Sequence, residues 1–213
     1  MKIFKLYAKN IIPILFTSFF IFNTISYAEE IKIAILDNGQ VFEKSEAFNE
    51  INSKIKQKSD SFGDKLRKSE ANLRKNLSEI EKQKSVLSED ALKKKNDDLN
   101  KGFIDLQQKA VSGREALQKS YEKVMKSFIE HLNKIISKIA EDTGYSLVLD
   151  RNASQYFDKK LDITDKVIEN LNKDKFIVEI DFSEIDNIEI KDYIKTVTKD
   201  TTKEEQKPTG SKK

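Results

Sequence analysis

Apolar residues recur along the middle of the chain with the spacing of one face of an α-helix. From Ile51 to Leu77 the steps between them alternate between four and seven residues, which makes an eleven-residue repeat. Eleven residues in three turns fit a long and nearly straight helix. A second stripe begins at Leu92 in heptad spacing and returns to eleven-residue steps between Leu117 and Ile139. The pattern therefore predicts two long amphipathic helices.

The segment Ser-Val-Leu-Ser-Glu-Asp at residues 85–90 separates the two helical patterns. Ser88 is a good helix N-cap, and the two acidic residues after it complement the dipole of the next helix. We expect the chain to reverse here, so that arms of about 45 and 55 residues form an antiparallel pair about 70–80 Å long. A single uninterrupted helix is the alternative, because no Pro or Gly marks the turn.

Short apolar runs flank the helical region on both sides. Residues 31–36 are rich in β-branched side chains and predict a strand. Gly144 is the expected end of the long helix, and residues 145–150 predict a second strand after it. Residues 155–157 are a candidate third strand. Residues 176–182 alternate apolar and polar side chains in the manner of an edge strand.

Capping residues and glycines refine this prediction. Ser45 is the predicted N-cap of the first long helix, and Thr164 is the predicted N-cap of a short helix that ends near Asn172. Gly102 and Gly113 lie inside the second long helix, where each glycine costs about 1 kcal/mol relative to alanine. We interpret both glycines as tolerated and not as points of flexibility.

These elements define an α+β, mainly α fold in which a long antiparallel helical hairpin stands on a small β body. Residues 45–143 form the hairpin, with its tip near residues 85–90. Residues 29–44 and 144–173 form the β/α body. Residues 174–213 form a C-terminal extension that we expect to be partly disordered, because its end is rich in Lys, Thr and Glu.

Residues 1–28 have the organisation of a secretory signal peptide. Three lysines precede an apolar stretch of about a dozen residues, and small residues lead to a predicted cleavage site between Ala28 and Glu29. An uncleaved membrane anchor is the alternative, although the apolar stretch is at the short limit for spanning a bilayer. The segment indicates a chain that is exported and soluble after cleavage.

Removing the signal changes the charge balance. It takes away three of the 39 basic residues and none of the 36 acidic ones, which leaves 36 of each. Five lysines nevertheless straddle the predicted tip, countered there by Glu81, Glu89 and Asp90. A basic tip fits weak contact with an anionic membrane surface or an acidic client, and it fits a solubilising helix end equally well. These candidate contact residues are Lys82, Lys84, Lys93, Lys94 and Lys95.

Residues suited to catalysis or metal binding are sparse. The chain has no Cys and a single His, His131, which lies between apolar residues of the second helix. It contains no phosphate-binding loop, no dinucleotide-binding glycine motif and no nucleophile elbow. We therefore expect no enzymatic activity, no metal site, no cofactor and no nucleic-acid partner.

Three segments carry a resemblance to a known family. They are Ile-Ala-Ile-Leu-Asp at residues 33–37 leading to Val41 and Phe42, the tip segment at residues 87–95, and residues 144–150 followed by Asp-Ile-Thr at residues 162–164. In this order, and after a signal, they resemble the Skp/OmpH family of periplasmic chaperones for outer-membrane proteins. The resemblance covers roughly residues 1–173. The extension from residue 174 onward has no counterpart in the family pattern.

The resemblance implies a homotrimer whose strands assemble a small β body and whose hairpins project as tentacles around a cavity. That cavity holds unfolded outer-membrane β-barrel proteins without ATP, so the implied function is that of a periplasmic holdase. A physical argument points the same way, because two or three short strands per chain do not make a stable sheet alone. The alternative function is a structural coiled-coil or tethering protein, membrane-anchored or secreted.

Overall fold

The computed structural model describes residues 31–193. The main compact unit begins at Ile33, and Ile31 and Lys32 belong to a separate N-terminal unit. The predicted signal with its cleavage site at Ala28 and Glu29 lies outside the described residues, as does the end of the extension, where disorder was expected.

Two short strands form the centre of the body. Strand β1 (Ile33–Leu36) pairs in parallel with strand β2 (Leu147–Asp150), and Ile33 lies opposite Leu147. Parallel strands require a crossover connection. Here the entire helical hairpin is that connection, so both ends of the hairpin meet at the same small sheet.

The third strand expected at residues 155–157 does not form, and that prediction was wrong. These residues have irregular backbone between 3₁₀ turns at Arg151–Ala153 and Lys159–Leu161. The carboxylates of Asp150 and Asp158 accept backbone N–H groups at the start of each turn. Such local side-chain bonds compete with strand pairing for the same backbone groups.

Three helices build the hairpin and its entry: α1 (Asn38–Lys44), α2 (Glu46–Gln83) and α3 (Glu89–Thr143). The chain leaves helical geometry at residues 84–88 and reverses, so the hairpin is confirmed and the uninterrupted helix is excluded. Helix α3 has 55 residues, as predicted, whereas α2 has 38 and is shorter than the expected 45 because it ends at Gln83, before the residues that reverse the chain.

Capping bonds set these helix ends. The Ser45 hydroxyl accepts the N–H of Phe48, and the Ser88 hydroxyl accepts the N–H of Ala91, so both predicted N-caps are present. Gly144 closes α3 with a φ of 73°, in the left-handed region where glycine carries no Cβ penalty. The predicted boundaries of the long helices therefore follow from local backbone chemistry.

Helix α4 (Thr164–Lys173) packs beside α1 and begins differently from the prediction. Thr164 is not the N-cap; it is the first helical residue, and it is buried. Its hydroxyl accepts the N–H of Asp37 at 2.9 Å, and its own N–H donates to the carboxylate of Asp162. The hydroxyl is thus used to join α4 to the start of α1.

An aromatic cluster at the base of the hairpin holds the body to the helices. Phe128 of α3 is fully buried, and its ring centroid lies 6.1 Å from Phe42 of α1 and 6.0 Å from Phe48 of α2. The ring of Phe176, beyond α4, meets it edge-on at 5.8 Å. This one side chain of α3 therefore contacts α1, α2 and the segment that follows α4.

The apolar repeat predicts the buried face of α2 with one exception. Ile51, Leu73 and Ile80 are buried, but Leu77 is 38% exposed and the polar Asn76 is buried instead. The Asn76 side-chain amide donates to the backbone carbonyl of Tyr193 at 2.8 Å, which compensates its burial. At this point of α2 a hydrogen bond to a distant segment, and not the apolar repeat, determines which residue is buried.

Gly102 and Gly113 have a packing role that the sequence interpretation did not give them. A Cβ at Gly113 would lie 2.1 Å from the Phe62 ring, and a Cβ at Gly102 would lie 2.7 Å from a Leu73 methyl carbon. Each glycine lets a large side chain of α2 approach the backbone of α3. The two glycines are eleven residues apart, as are Phe62 and Leu73, so the contacts follow the repeat.

The extension does not form the predicted edge strand at residues 176–182. The alternation itself is present, since Val178 is buried and Ile177 is 77% exposed. The segment packs on the hairpin and continues into a short helix, α5 (Ser183–Asp186). It lacks a strand partner because its backbone is bound by side chains of the hairpin.

Replacing Gly113 with alanine should destabilise the protein by about 1–2 kcal/mol, because the added methyl group overpacks the seam against Phe62. Gly63 of α2 is the matched control, since a Cβ there meets the flexible Arg67 head group at 3.4 Å. Alanine at position 63 should therefore stabilise the helix by up to about 1 kcal/mol. Urea denaturation of both variants measures the difference. Equal effects of the two substitutions would contradict the packing role of Gly113.

Candidate functional site

Residues 174–193 lie along the hairpin and contact both of its long helices; we call this segment the strap. From Val178 to Tyr193 its contacts on α2 advance from Lys54 to Asn76. The strap therefore runs in the direction of α2, away from the body and toward the tip, over the surface where α2 and α3 meet.

Apolar side chains of the strap enter the cores beneath it. Val178 and Ile185 are 5% and 2% exposed. Phe176, Val178 and Ile180 join the cluster that surrounds Phe128 at the base of the hairpin. Ile190 and Tyr193 join a second cluster nearer the tip, which is built on Leu73, Ile80, Leu99 and Leu106.

The hairpin also binds the backbone of the strap. Four side chains, two from serines, one from a lysine and one from an asparagine, donate to main-chain carbonyl groups. The bonds are Lys54 Nζ to Val178 O (2.8 Å), Ser120 Oγ to Asp181 O (2.6 Å), Ser69 Oγ to Lys191 O (3.0 Å) and Asn76 Nδ2 to Tyr193 O (2.8 Å). Bonds of this kind are independent of the side chains in the bound segment.

Charge complementarity adds to these contacts. The strap carries seven acidic and two basic residues. Lys123 and Lys119 of α3 pair with Asp181 and Glu184 at 3.2 and 3.1 Å. On α2, Lys58 pairs with Asp186 and lies 5.0 Å over the ring centroid of Phe182, a cation–π distance.

Hydrogen bonds fix the charge state of Asp181. The hydroxyl and backbone N–H of Ser183 donate to its carboxylate, and Lys123 adds a weaker contribution, so the pKa of Asp181 falls to about 2. The carboxylate therefore stays ionised throughout the physiological range, and the pair with Lys123 is not sensitive to pH there.

Tyr193 anchors the far end of the strap. Its hydroxyl donates to the Asp105 carboxylate at 2.7 Å, and its ring packs over Gly102. Burial and then the bond to Asp105 raise the pKa of Tyr193 to about 12. The same bond lowers the pKa of Asp105, with a smaller contribution from Lys109 at 3.1 Å. Both shifts favour the neutral phenol bound to the charged carboxylate.

The predicted tip lysines lie at the turn of the hairpin. Lys82 is in the last turn of α2 and Lys84 caps it, whereas the other three follow the start of α3. All are exposed except Lys95, which is half-buried. The apolar Val86 beside them is 81% exposed. Contact of this tip with an anionic surface stays a prediction, for which vesicle binding by lysine-to-glutamine variants is the measurement.

His131 contacts the beginning of the strap. Its ring centroid lies 5.2 Å from that of Phe176, and its Nε2 lies 3.5 Å from a carboxylate oxygen of Asp174. Among the described residues no atom forms a hydrogen bond to this buried Nε2. Within residues 31–193 no group of three or more His, Cys, Asp or Glu side chains is placed to hold a metal ion.

The sequence reasoning missed the residues that bind the strap. The alternation at residues 176–182 signals one buried face, but it does not identify the surface that covers this face. The acidity of the strap opposite a hairpin with more basic than acidic residues was the remaining signal. No sequence signal marked the serine and asparagine donors. Ser69, Asn76 and Ser120 differ from solvent-exposed polar residues only through their distant partners.

Comparison with known proteins gives the class of the chain. The family model for Outer membrane protein (OmpH-like) matches residues 32–171. The crystal structure of a protein from Caulobacter crescentus, described as an OmpH-like outer membrane chaperone, matches the fold with a TM-score of 0.67. The identity is 18%, and the match covers 71% of this chain and 89% of that one. No curated protein matches the chain.

The chain belongs to the OmpH-like family. Membership confirms the resemblance drawn from the sequence, and the α+β, mainly α fold agrees with it. It supports a periplasmic chaperone role in general terms. In the described part of the chain, no helix is both long enough and apolar enough to cross a membrane.

Replacing Tyr193 with phenylalanine should remove the tyrosine that titrates near pH 12. The neutral phenol contributes its full stabilisation below its ordinary pKa of 10.0, and this contribution is lost as the pH rises through about 12. Near neutral pH the substitution should cost about 1 kcal/mol for the lost hydrogen bond. Tyrosinate absorbance and urea denaturation measure the two effects.

The matched control is Tyr156, which is 87% exposed. Phenylalanine at position 156 should leave the high-pH step of Tyr193 in place and the free energy of unfolding unchanged. Loss of a tyrosine that titrates near pH 10 in the Tyr193→Phe variant, with the step near pH 12 unchanged, would show that the strap is not anchored on Asp105.

Proposed function

We propose that the mature chain is an ATP-independent periplasmic holdase that binds unfolded outer-membrane proteins and keeps them from aggregating. The observation that carries this proposal is a long hairpin on a small β body in a chain of the OmpH-like family. The Caulobacter crescentus protein of the same fold is described as an outer membrane chaperone. The signal peptide should direct export and be removed between Ala28 and Glu29, so the mature protein should begin at Glu29.

The surface of the hairpin supports this function. It is mainly charged, but several apolar side chains stand on it singly, each from 42% to 81% exposed. These side chains are Val86, Ile104, Val111 and Ile129. Many weak contacts of this kind hold an unfolded chain through their number, and each one releases it readily. A protein that binds the unfolded form also lowers the concentration available for aggregation.

The cavity of such a holdase needs several hairpins, and we propose a homotrimer. Three of the four residues of β1 are buried, whereas all four residues of β2 are at least partly exposed, and Leu147 is 44% exposed. A two-stranded sheet is marginal alone, and an open strand edge offers backbone groups for further pairing. Strands from neighbouring copies would complete the sheet and bring the hairpins together around one space.

A urea-unfolded outer-membrane β-barrel protein, diluted into buffer without nucleotide, tests the holdase function. Light scattering should stay near the baseline when mature chain is present in molar excess, counted as trimers. Serine at the four exposed apolar positions should weaken this protection, because the contacts with apolar client segments are lost. Serine at Ile177, which is 77% exposed on the strap, is the control. Scattering that is unchanged by excess mature chain would rule out the function.

Light scattering coupled to size-exclusion chromatography tests the trimer. The mature chain should elute with three times the mass of one chain. Aspartate at Leu147 should shift the mass toward that of one chain, because it places a charge at the proposed interface. Aspartate at Ile104, which is 57% exposed on the hairpin, is the control and should leave the mass unchanged. A monomeric wild-type chain would contradict the proposal.

A further inference from the structure

We propose that the surface under the strap is a binding groove for extended polypeptide segments in which apolar and polar residues alternate. In this chain the strap occupies the groove as an intramolecular ligand, and a client segment of the same pattern displaces it. The choice of client rests on the proposed holdase function. The groove itself rests on the contacts of the strap.

The way in which the groove holds the strap is suited to segments of varied sequence. Its four side-chain donors bind main-chain carbonyl groups, which every polypeptide presents. Folded proteins use their backbone carbonyl groups internally, in helices and sheets. Donors of this kind therefore favour an extended and unpaired backbone over a folded surface.

The apolar contacts select the alternation. Between Phe176 and Phe182 every second side chain faces the hairpin, with Val178 buried and Ile177 in solvent between two inward-facing residues. Transmembrane strands of outer-membrane β-barrels alternate apolar and polar residues with the same period. The strap thus has the pattern of one client strand, and the groove has the spacing that accepts it.

Charge adds a preference to this recognition. Lysines of both helices border the groove, and three of them pair with acidic residues of the strap, Asp181, Glu184 and Asp186. These ion pairs are at least partly exposed and will weaken in salt. The groove should accordingly favour segments whose polar positions are acidic over segments whose polar positions are basic.

Occupation by the strap sets the affinity for other segments. A ligand that competes with an internal one binds in proportion to the fraction of molecules whose groove is open. A strap that is docked nine-tenths of the time lowers apparent affinity by about tenfold. Loosening the strap should therefore increase binding in trans, whereas a strap that is only a part of the folded core would leave no groove to bind.

The test uses the full mature chain and fluorescently labelled synthetic peptides. The loosened variant carries Val178→Asp and Ile185→Asp, which introduce charges at the two most buried positions of the strap. The matched control is Ile177→Asp, the same change at an exposed neighbour. A second variant, with Glu184→Gln and Asp186→Asn, weakens the strap through two of its ion pairs and keeps the Asp181 carboxylate that binds Ser183. If circular dichroism shows that the loosened variant does not fold, the peptide affinity of this second variant is compared with that of the wild type instead.

Three peptides serve as probes. The first has the sequence of residues 174–193, the second is a transmembrane strand of an outer-membrane β-barrel, and the third has the composition of the second with the alternation removed. The loosened variant should bind the first two about tenfold more tightly than the wild type and the control, and the third weakly. In the loosened background, alanine at Ser69 and Ser120 should weaken binding about tenfold, because two carbonyl donors are lost. Alanine at the exposed Ser61 and Ser112 should not.

The outcomes separate this proposal from the holdase function. Equal affinity of wild-type and loosened chains for the peptides overturns the groove, even where the wild type prevents client aggregation. Binding of the strap peptide alone overturns the part that concerns clients. Tight binding of both alternating peptides by a chain that fails to prevent aggregation supports the groove and removes the holdase function.

Discussion

The aromatic cluster around Phe128 is the interaction on which the rest of the structure depends. It joins α1, the first turns of α2, the last third of α3 and the segment after α4 in one apolar contact. The small sheet beside it has two strands of four residues each, too little to fix the direction of two helices of 38 and 55 residues. Packing of the aromatic rings therefore orients the base of the hairpin, and this sets the direction of both long helices toward the tip.

Away from this base the hairpin has a narrow core, and the strap adds apolar side chains to it. A pair of helices buries one seam and leaves its flanks in solvent. Here one flank receives Val178, Ile185 and Tyr193, and the buried Asn76 finds its partner there. Because this surface binds a segment of its own chain through many contacts, it can also bind segments of other chains. Stability and binding thus use the same face of the hairpin.

Local chemistry explains which parts of this architecture could be predicted from the sequence. The helix ends at Ser45, Ser88 and Gly144 depend on neighbouring backbone groups, and all three predictions were right. Thr164 and Leu77 were misplaced because their surroundings are set by residues more than a hundred positions away. The strap was misjudged for the same reason: alternation reveals a covered face, and only the folded chain shows that helices and not a strand cover it.

The parallel pairing of β1 with β2 has a consequence for how the chain reaches this state. Leu147 follows its partner Ile33 by more than a hundred residues, so the first strand is synthesised long before the second exists. Contacts of such high separation form slowly, because the loop between them must close first. The helices can form locally before this pairing, and the small sheet can close only after β2 has been synthesised, when more than two thirds of the chain is complete.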